Sequence, residues 1–366
     1  MTTINIFEPY FLAGVVAEIV PKATFFKDRY FPTNPETDIF KAEKVLVEYQ
    51  DVDRRLAPFV VPHSANHFGT RGQGETLSIR DGYEAHEFSP PFIAPSRLLT
   101  LDDLKKRGFG EALYIGSTPA ERAVTLQVQD LIDLDRRITR REEWMAAQTM
   151  INNGCSAVSL VDDKETGEAW ELYFYDVTKT NPSLYTVEEF WDDSLDNFMR
   201  DIEIMCESLE FRGITPKDLV IGSEVGHFLN ASEKIGKMLD VRRAELGFVK
   251  PEINVPGVVW YGNLKFGPFE LDVFIVQETY EDDEGLKQEY FPRKSAMVTY
   301  PGCGRMMYAQ ITQIESDDQY HSFAAPRVPK FVVDVDKDIR KLRLASRPLA
   351  TPNYKAPWMY AANVLR

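Results

Sequence analysis

The sequence predicts an α+β chain organised around one very long helix. Three observations carry that prediction. An aromatic arm without sustained periodicity occupies residues 1–42, strand alternation with little helix signal occupies 43–92, and a capped helical run at 119–152 leads into mixed helix and strand patterns. The chain has 366 residues, 44% hydrophobic and 27% charged, which excludes wholesale disorder and allows two or three domains or one elaborated domain.

The arm carries Phe7, Tyr10, Phe11, Phe25, Phe26, Tyr30 and Phe31, with prolines at 9, 21, 32 and 35. So many large apolar side chains on an irregular segment need a covering surface. That surface is either the arm's own domain or a neighbouring subunit. Beyond the arm, Val45, Val47 and Tyr49 alternate with Lys44, Leu46, Glu48 and Gln50, and a return strand is expected near Thr76–Arg80, with a bend at Asp81-Gly82 and extension through Phe88. Between them, Arg71-Gly-Gln-Gly74 supplies glycines that allow positive φ. A hairpin of about fifty residues makes a poor core alone and is expected to lie against something else.

Thr118-Pro119-Ala120-Glu121 reads as an N-cap, a proline at the first helical position and a capping-box glutamate, and Asn153-Gly154 as the stop. The run between them, about 34 residues, would be a strut of about 50 Å. Val124, Val128, Leu131, Ile138, Met145 and Ile151 form its narrow apolar stripe, and its dense charges, Asp130, Asp133, Asp135, Arg136, Arg137, Arg140, Arg141, Glu142 and Glu143, read as a solvated side. A hairpin (157–161 and 169–175, turned by 162–167) follows. A second domain begins near Asp192, where Leu195, Phe198, Met199, Ile202, Met205, Cys206 and Leu209 recur at helical spacing and Gly213 ends the helix. Then come a buried strand at Leu219–Ile221, a helix near 223–239, strands at 258–261, 270–280, 287–291 and 295–300, a turn at Asp282–Gly285, and strand-like Phe331–Val335 and Leu342–Leu344.

With 42 Lys+Arg against 57 Asp+Glu, the net charge of −15 argues against broad phosphate binding, which needs clustered basic residues. Three scattered cysteines, Cys155, Cys206 and Cys303, argue against a disulfide framework or a cysteine-rich zinc site. No apolar run approaches the ~20 residues of a helical membrane span, and the opening lacks the basic region of a secretory signal. A protein made and used in a cytoplasm, or released by lysis, is expected.

Chemistry motifs are mostly missing. Neither a phosphate-binding loop, a dinucleotide fingerprint, a His-Glu-x-x-His nor a Cys-x-x-Cys is present. Gly222-Ser-Glu-Val-Gly226 has its serine one place early for a nucleophile elbow, and Ser223 reads as a helix N-cap. Asp334, Asp336 and Asp338 imitate a calcium loop, but Ile339 and Ala345 stand where glycine and a bidentate glutamate are required. His63 and His67 fall in a turn region rather than on a helix, Pro301-Gly-Cys-Gly304 reads as a turn, and Cys206 as core. No catalytic, cofactor-binding or metal-binding residue is assigned, and no cofactor is expected.

The order of parts, aromatic arm, β-excursion, long helix and mixed domain, resembles the bacteriophage capsid fold named after phage Hong Kong 97. Local sequence resembles the major capsid protein E family of lambda-like tailed phages. The residues that carry this are Phe25-Phe26 with Tyr30-Phe31, Glu43-Lys44-Val45, Leu56-Ala-Pro-Phe-Val60, Pro90-Pro-Phe-Ile-Ala-Pro95, Tyr290-Phe-Pro-Arg-Lys-Ser-Ala-Met-Val298 and Ala325-Pro-Arg-Val-Pro-Lys330. The resemblance implies an N-terminal arm (1–42), an E-loop (43–92), a P-domain (93–191) with a spine helix at 119–152, an A-domain (192–320), and C-terminal strands (321–366) returning to the P-domain. It implies a major capsid protein that self-assembles into hexamers and pentamers of an icosahedral head in the host cytoplasm. That head would enclose double-stranded DNA without sequence-specific binding, with a portal protein, a separate scaffolding protein, a possible decoration protein and no membrane. Only about 42 residues precede the E-loop, too few for an attached scaffolding segment. In the name-giving phage a loop lysine forms an isopeptide bond to a neighbour. No lysine occurs from Val45 to Leu104, and Lys44 sits at the root of the excursion, so such cross-linking is not expected here. The alternatives are an encapsulin-type compartment and an unrecognised cytoplasmic enzyme.

Overall fold

The computed structural model describes residues 24–49, 84–100, 119–162, 165–174, 183–232, 255–282, 285–315, 318–334 and 339–366. The expectations for residues 1–23, His63, His67, the Arg71–Gly74 turn, the return strand near Thr76–Arg80, Thr118, and Asp336 and Asp338 lie outside them.

A short helix α1 (Phe26–Tyr30) opens the described part of the arm. Strands β1 (Val45–Tyr49) and β2 (Glu84–Phe88) pair antiparallel, Val45 opposite Phe88, and β3 (Ser96–Leu99) follows. Helix α2 spans Pro119–Asn152, its first residue the proline whose missing N–H would be unsatisfied there in any case. The stop differs in detail from expectation. Asn153 takes the positive φ (56°), whereas Gly154 is needed because a Cβ there would stand 2.1 Å from the Leu172 carbonyl oxygen.

Strands β4 (Gly154–Asp162) and β5 (Glu165–Tyr173) form a longer hairpin than the pattern suggested, because residues expected in its turn join the ladder. After β6 (Leu184–Tyr185), helix α3 runs Leu195–Phe211 with Ser194 as its N-cap and Gly213 at φ 86° behind it. Strand β7 (Asp218–Gly222) leads directly into α4 (Ser223–Ala231). Ser223 is therefore the first helical residue and not the cap. Gly222 takes the cap position, where a Cβ would meet the carbonyl oxygens of Pro292 and Arg293 at 2.3 Å. The expected 270–280 strand is broken into β9 (Phe269–Val276) and β10 (Thr279–Glu281), with β8 (Val258–Phe266) before them and β11 (Lys287–Glu289) and β12 (Ala296–Thr299) after. The chain ends in β13 (Gly304–Tyr308), β14 (Ile311–Ile314), β15 (Tyr320–Phe323), β16 (Val328–Asp334), β17 (Ile339–Ala345), β18 (Pro348–Pro352) and β19 (Met359–Ala361).

Two sheets organise the molecule. A six-stranded sheet has the order β6-β19-β12-β7-β9-β8, so the tail strand β19 and the earlier β6 share it with strands from 218–299. Alternate residues of this sheet face two cores. Leu219, Ile221, Val273, Ile275, Ala296 and Val298 pack with Phe198, Ile202, Met205 and Cys206 of α3 and with Val225 and Leu229 of α4. Val220, Val276, Met297 and Tyr360 face the other way, onto Phe25, Phe26, Tyr30 and Phe31 of the arm and Met145, Ala146, Ala147 and Met150 of α2. The three-stranded sheet β16-β17-β3 lays Leu342 and Leu344 on Leu131, Leu134 and Ile138, farther up the same helix. Helix α2 thus touches both sheets. Its apolar stripe is shifted from expectation: Val128 is 40% exposed and Leu134 fully buried.

Candidate functional site

The arm meets α2 through polar groups as well as aromatic ones. The backbone N–H groups of Phe25 and Phe26 donate to Glu143 Oε1 at 3.0 and 2.7 Å, and that of Lys27 to Oε2 at 2.8 Å. Helix α1 has no capping side chain of its own, so α2 supplies the acceptor for its first turn. One position earlier, Glu142 accepts from Lys27 Nζ at 2.7 Å and from both terminal nitrogens of Arg327. Arg327 also reaches Asp135 at 2.7 Å and Thr139 at 3.3 Å. The arm and the segment of Arg327, far apart in sequence, are thereby pinned to two successive turns of α2.

These contacts correct the reading of the helix charges as a solvated side. Asp135, Glu142 and Glu143 are buried, Glu142 completely, and each has the partners that burial demands. Burial opposes the charge of Glu142, but Arg327 and Lys27 outweigh it and lower its carboxyl to about 2. Burial dominates at Glu143 and pushes it up to about 7, against the pull of its three N–H donors.

A second ion pair fixes the arm to the six-stranded sheet. The Arg29 guanidinium grips the buried Asp218, at the start of β7, through Nε and Nη2 and lies 4.4 Å from the centre of the Phe274 ring. The backbone continues the attachment, with Gly302 N–H donating to Arg29 O at 2.9 Å and Tyr308 N–H to Asp38 O at 2.7 Å. For residues 24–31, then, the covering surface is the chain's own.

Three of the motifs quoted for the family resemblance, those around Phe25–Phe31, Tyr290–Val298 and Arg327, converge here. Phe26 stacks on Phe291 at 6.1 Å, Tyr290 donates to the Arg140 carbonyl, Met297 lies in the same core, and Arg327 closes the charge cluster. None of this is a reaction centre. The acids are fully engaged, and Cys155, Cys206 and Cys303 are buried thiols pushed up to about 12 by burial, too high for nucleophiles. Among the described residues no group of three or more His, Cys, Asp or Glu is arranged to hold a metal ion, and no helix is long and apolar enough to cross a membrane.

The profile of the family described as phage major capsid protein E matches residues 10–361. The chain belongs to that family. The capsid E assignment makes it a structural shell protein and not an enzyme, with the virion as its place, and favours a phage head over the compartment reading. Its fold, of the Hong Kong 97 type, is that of solved phage proteins. One is described as the capsid protein of a prophage of E. coli CFT073 (14% identity, 97% of this chain and 94% of that one, TM-score 0.56). Another is a phage-related protein of Bordetella bronchiseptica RB50 (10% identity, 98% and 97%, TM-score 0.52). No curated protein sequence matches the chain.

Proposed function

We propose that this capsid protein assembles into hexamers and pentamers that close as an icosahedral head around double-stranded DNA in the host cytoplasm. The supporting observation is the family match over residues 10–361, combined with a folded body whose buried charges serve only cohesion. In this reading residues 1–42 are the arm, 43–92 an E-loop bridging to a neighbour, 93–191 a P-domain with its spine helix, and 192–320 an A-domain. The tail 321–366 returns to the P-domain and lends β19 to the other sheet. Scaffold and portal are separate proteins, and a decoration protein is an optional partner. A net charge of −15 suits a wall along which packaged DNA slides without gripping it. Electron microscopy of the purified protein tests the proposal: closed shells or capsomers are expected, and small discrete particles alone would overturn it.

A further inference from the structure

The β1-β2 ribbon, where the 43–92 excursion leaves and rejoins the body, is seated in an apolar socket built by other parts of the chain. Val45 and Phe88 stand opposite each other on one face of the ladder, and Val47 follows on the same face. Val45 and Val47 are buried against Leu172 of β5, Phe174 just beyond it and Leu349 of β18, and Phe40, Phe88 and Met307 pack on the same cluster. Met307 and Leu349 are directly opposed in the β13-β18 pair, so they share one face and form the floor. The rings of Phe88 and Phe174 meet edge to face, with centroids 5.2 Å apart.

Phe174 is itself held from behind. Its backbone N–H donates to the carbonyl of Asn153, the residue that ends α2, at 3.0 Å. The side-chain oxygen of Asn153 accepts from Ser183 Oγ at 3.0 Å and from Nε1 of the buried Trp358 at 3.1 Å. The socket wall is therefore fixed to the end of the long helix and to the tail, and the ribbon leaves at an angle set by both. A two-stranded ribbon is marginal by itself, so its direction comes from whatever grips its root. At about 3.3 Å per residue, about ten degrees of slack at the root moves a point ten residues out by about 6 Å, more than a packed contact tolerates.

We infer that Phe88 and Phe174 are positioning residues that aim the 43–92 excursion for assembly by locking its root to the end of α2. This rests on the reading of the excursion as a bridge to a neighbour and adds what sets its direction. Spin labels read the angle directly, one at Glu84→Cys, at the end of the ladder away from Phe88, and one at Glu207→Cys, on the exposed side of α3. Labelled chains are diluted in an excess of unlabelled chain, and the three native cysteines are buried and take up little label. A narrow distance distribution is expected for the otherwise wild-type chain. Loss of the edge-to-face pair in Phe88→Ala shifts the balance between seated and loose ribbon about tenfold, which broadens the distribution. Shell yield falls at least as far, because a closed ring needs the excursion of every copy aimed. Phe88→Tyr keeps the ring and should restore both readings. Phe174→Leu, which keeps the socket filled, should act in the same direction as Phe88→Ala, with circular dichroism showing that the body of each variant is folded. Distributions as narrow in Phe88→Ala and Phe174→Leu as in the parent, or broadening with wild-type shell yield, would overturn the inference. If the wild-type chain forms no shells, the assembly reading fails, and the distances alone decide whether this aromatic pair sets the angle.

Discussion

Glu142 and Glu143 stand side by side on α2, yet one faces two cations and the other three backbone donors. Successive helical positions diverge by about 100°, so neighbours in sequence serve different partners. Their titrations oppose each other. Glu142 is lowered from 4.5 to about 2, so it contributes stability that is present above 4.5 and lost as pH falls toward 2, about 3 kcal/mol in all. Glu143 is raised from 4.5 to about 7, so the stability linked to it falls as pH rises across that interval. Glu142→Gln keeps the shape but takes from Lys27 the carboxylate it is paired with and leaves Arg327 with Asp135, a loss of about 3 kcal/mol at pH 7. It should also remove the acid-side loss belonging to this group. Urea unfolding at a series of pH values reads both, and wild-type stability of the variant at pH 7 would show that charge does not hold the cluster. The sequence did not disclose this site. A run of charges on a helix looks the same whether water or an arginine from a distant loop meets it.

At the scale of elements, helices were the most legible. Proline at the first position and Asn-Gly at the end bracketed α2, and three-and-four spacing described α3 down to its buried Cys206. Strand ends were less so, because β9 stops where the pairing changes and β4 and β5 extend through residues typical of turns. Val128 is well exposed, so Val128→Pro removes little packing and tests the backbone of α2 directly. Proline there deletes a helical hydrogen bond and clashes with the preceding turn, costing about 3 kcal/mol or more. Insoluble or unassembled protein is expected. Normal shells by microscopy would show that an unbroken helix is dispensable. For the 43–92 excursion, replacing Asn66 to Glu75 by Gly-Gly should leave the circular dichroism of the subunit near wild type and block shell closure in sedimentation. Unimpaired shells would mean that its tip carries no assembly contact.

For the whole particle, cohesion is expected to be non-covalent. An isopeptide bond needs a neutral amine at the neighbour, and arginine stays protonated. Lys44, at the root of the excursion, is engaged with Glu87 at 3.2 Å. Mature particles boiled in detergent should give one band near the 41.9 kDa monomer, and a ladder of covalent pentamers and hexamers would refute this. What the sequence determined by itself is the length of the long helix, the absence of a familiar catalytic motif and the capsid family, since each is written in local spacing or in motifs read one after another. Only the tertiary structure decided that the arm's aromatics cover the second face of the six-stranded sheet, that β19 joins that sheet, and that Lys27, Glu142 and Arg327 meet. Those contacts join residues more than sixty positions apart, and no local pattern encodes a partner that distant; burial selects it when the sheets close on the helix.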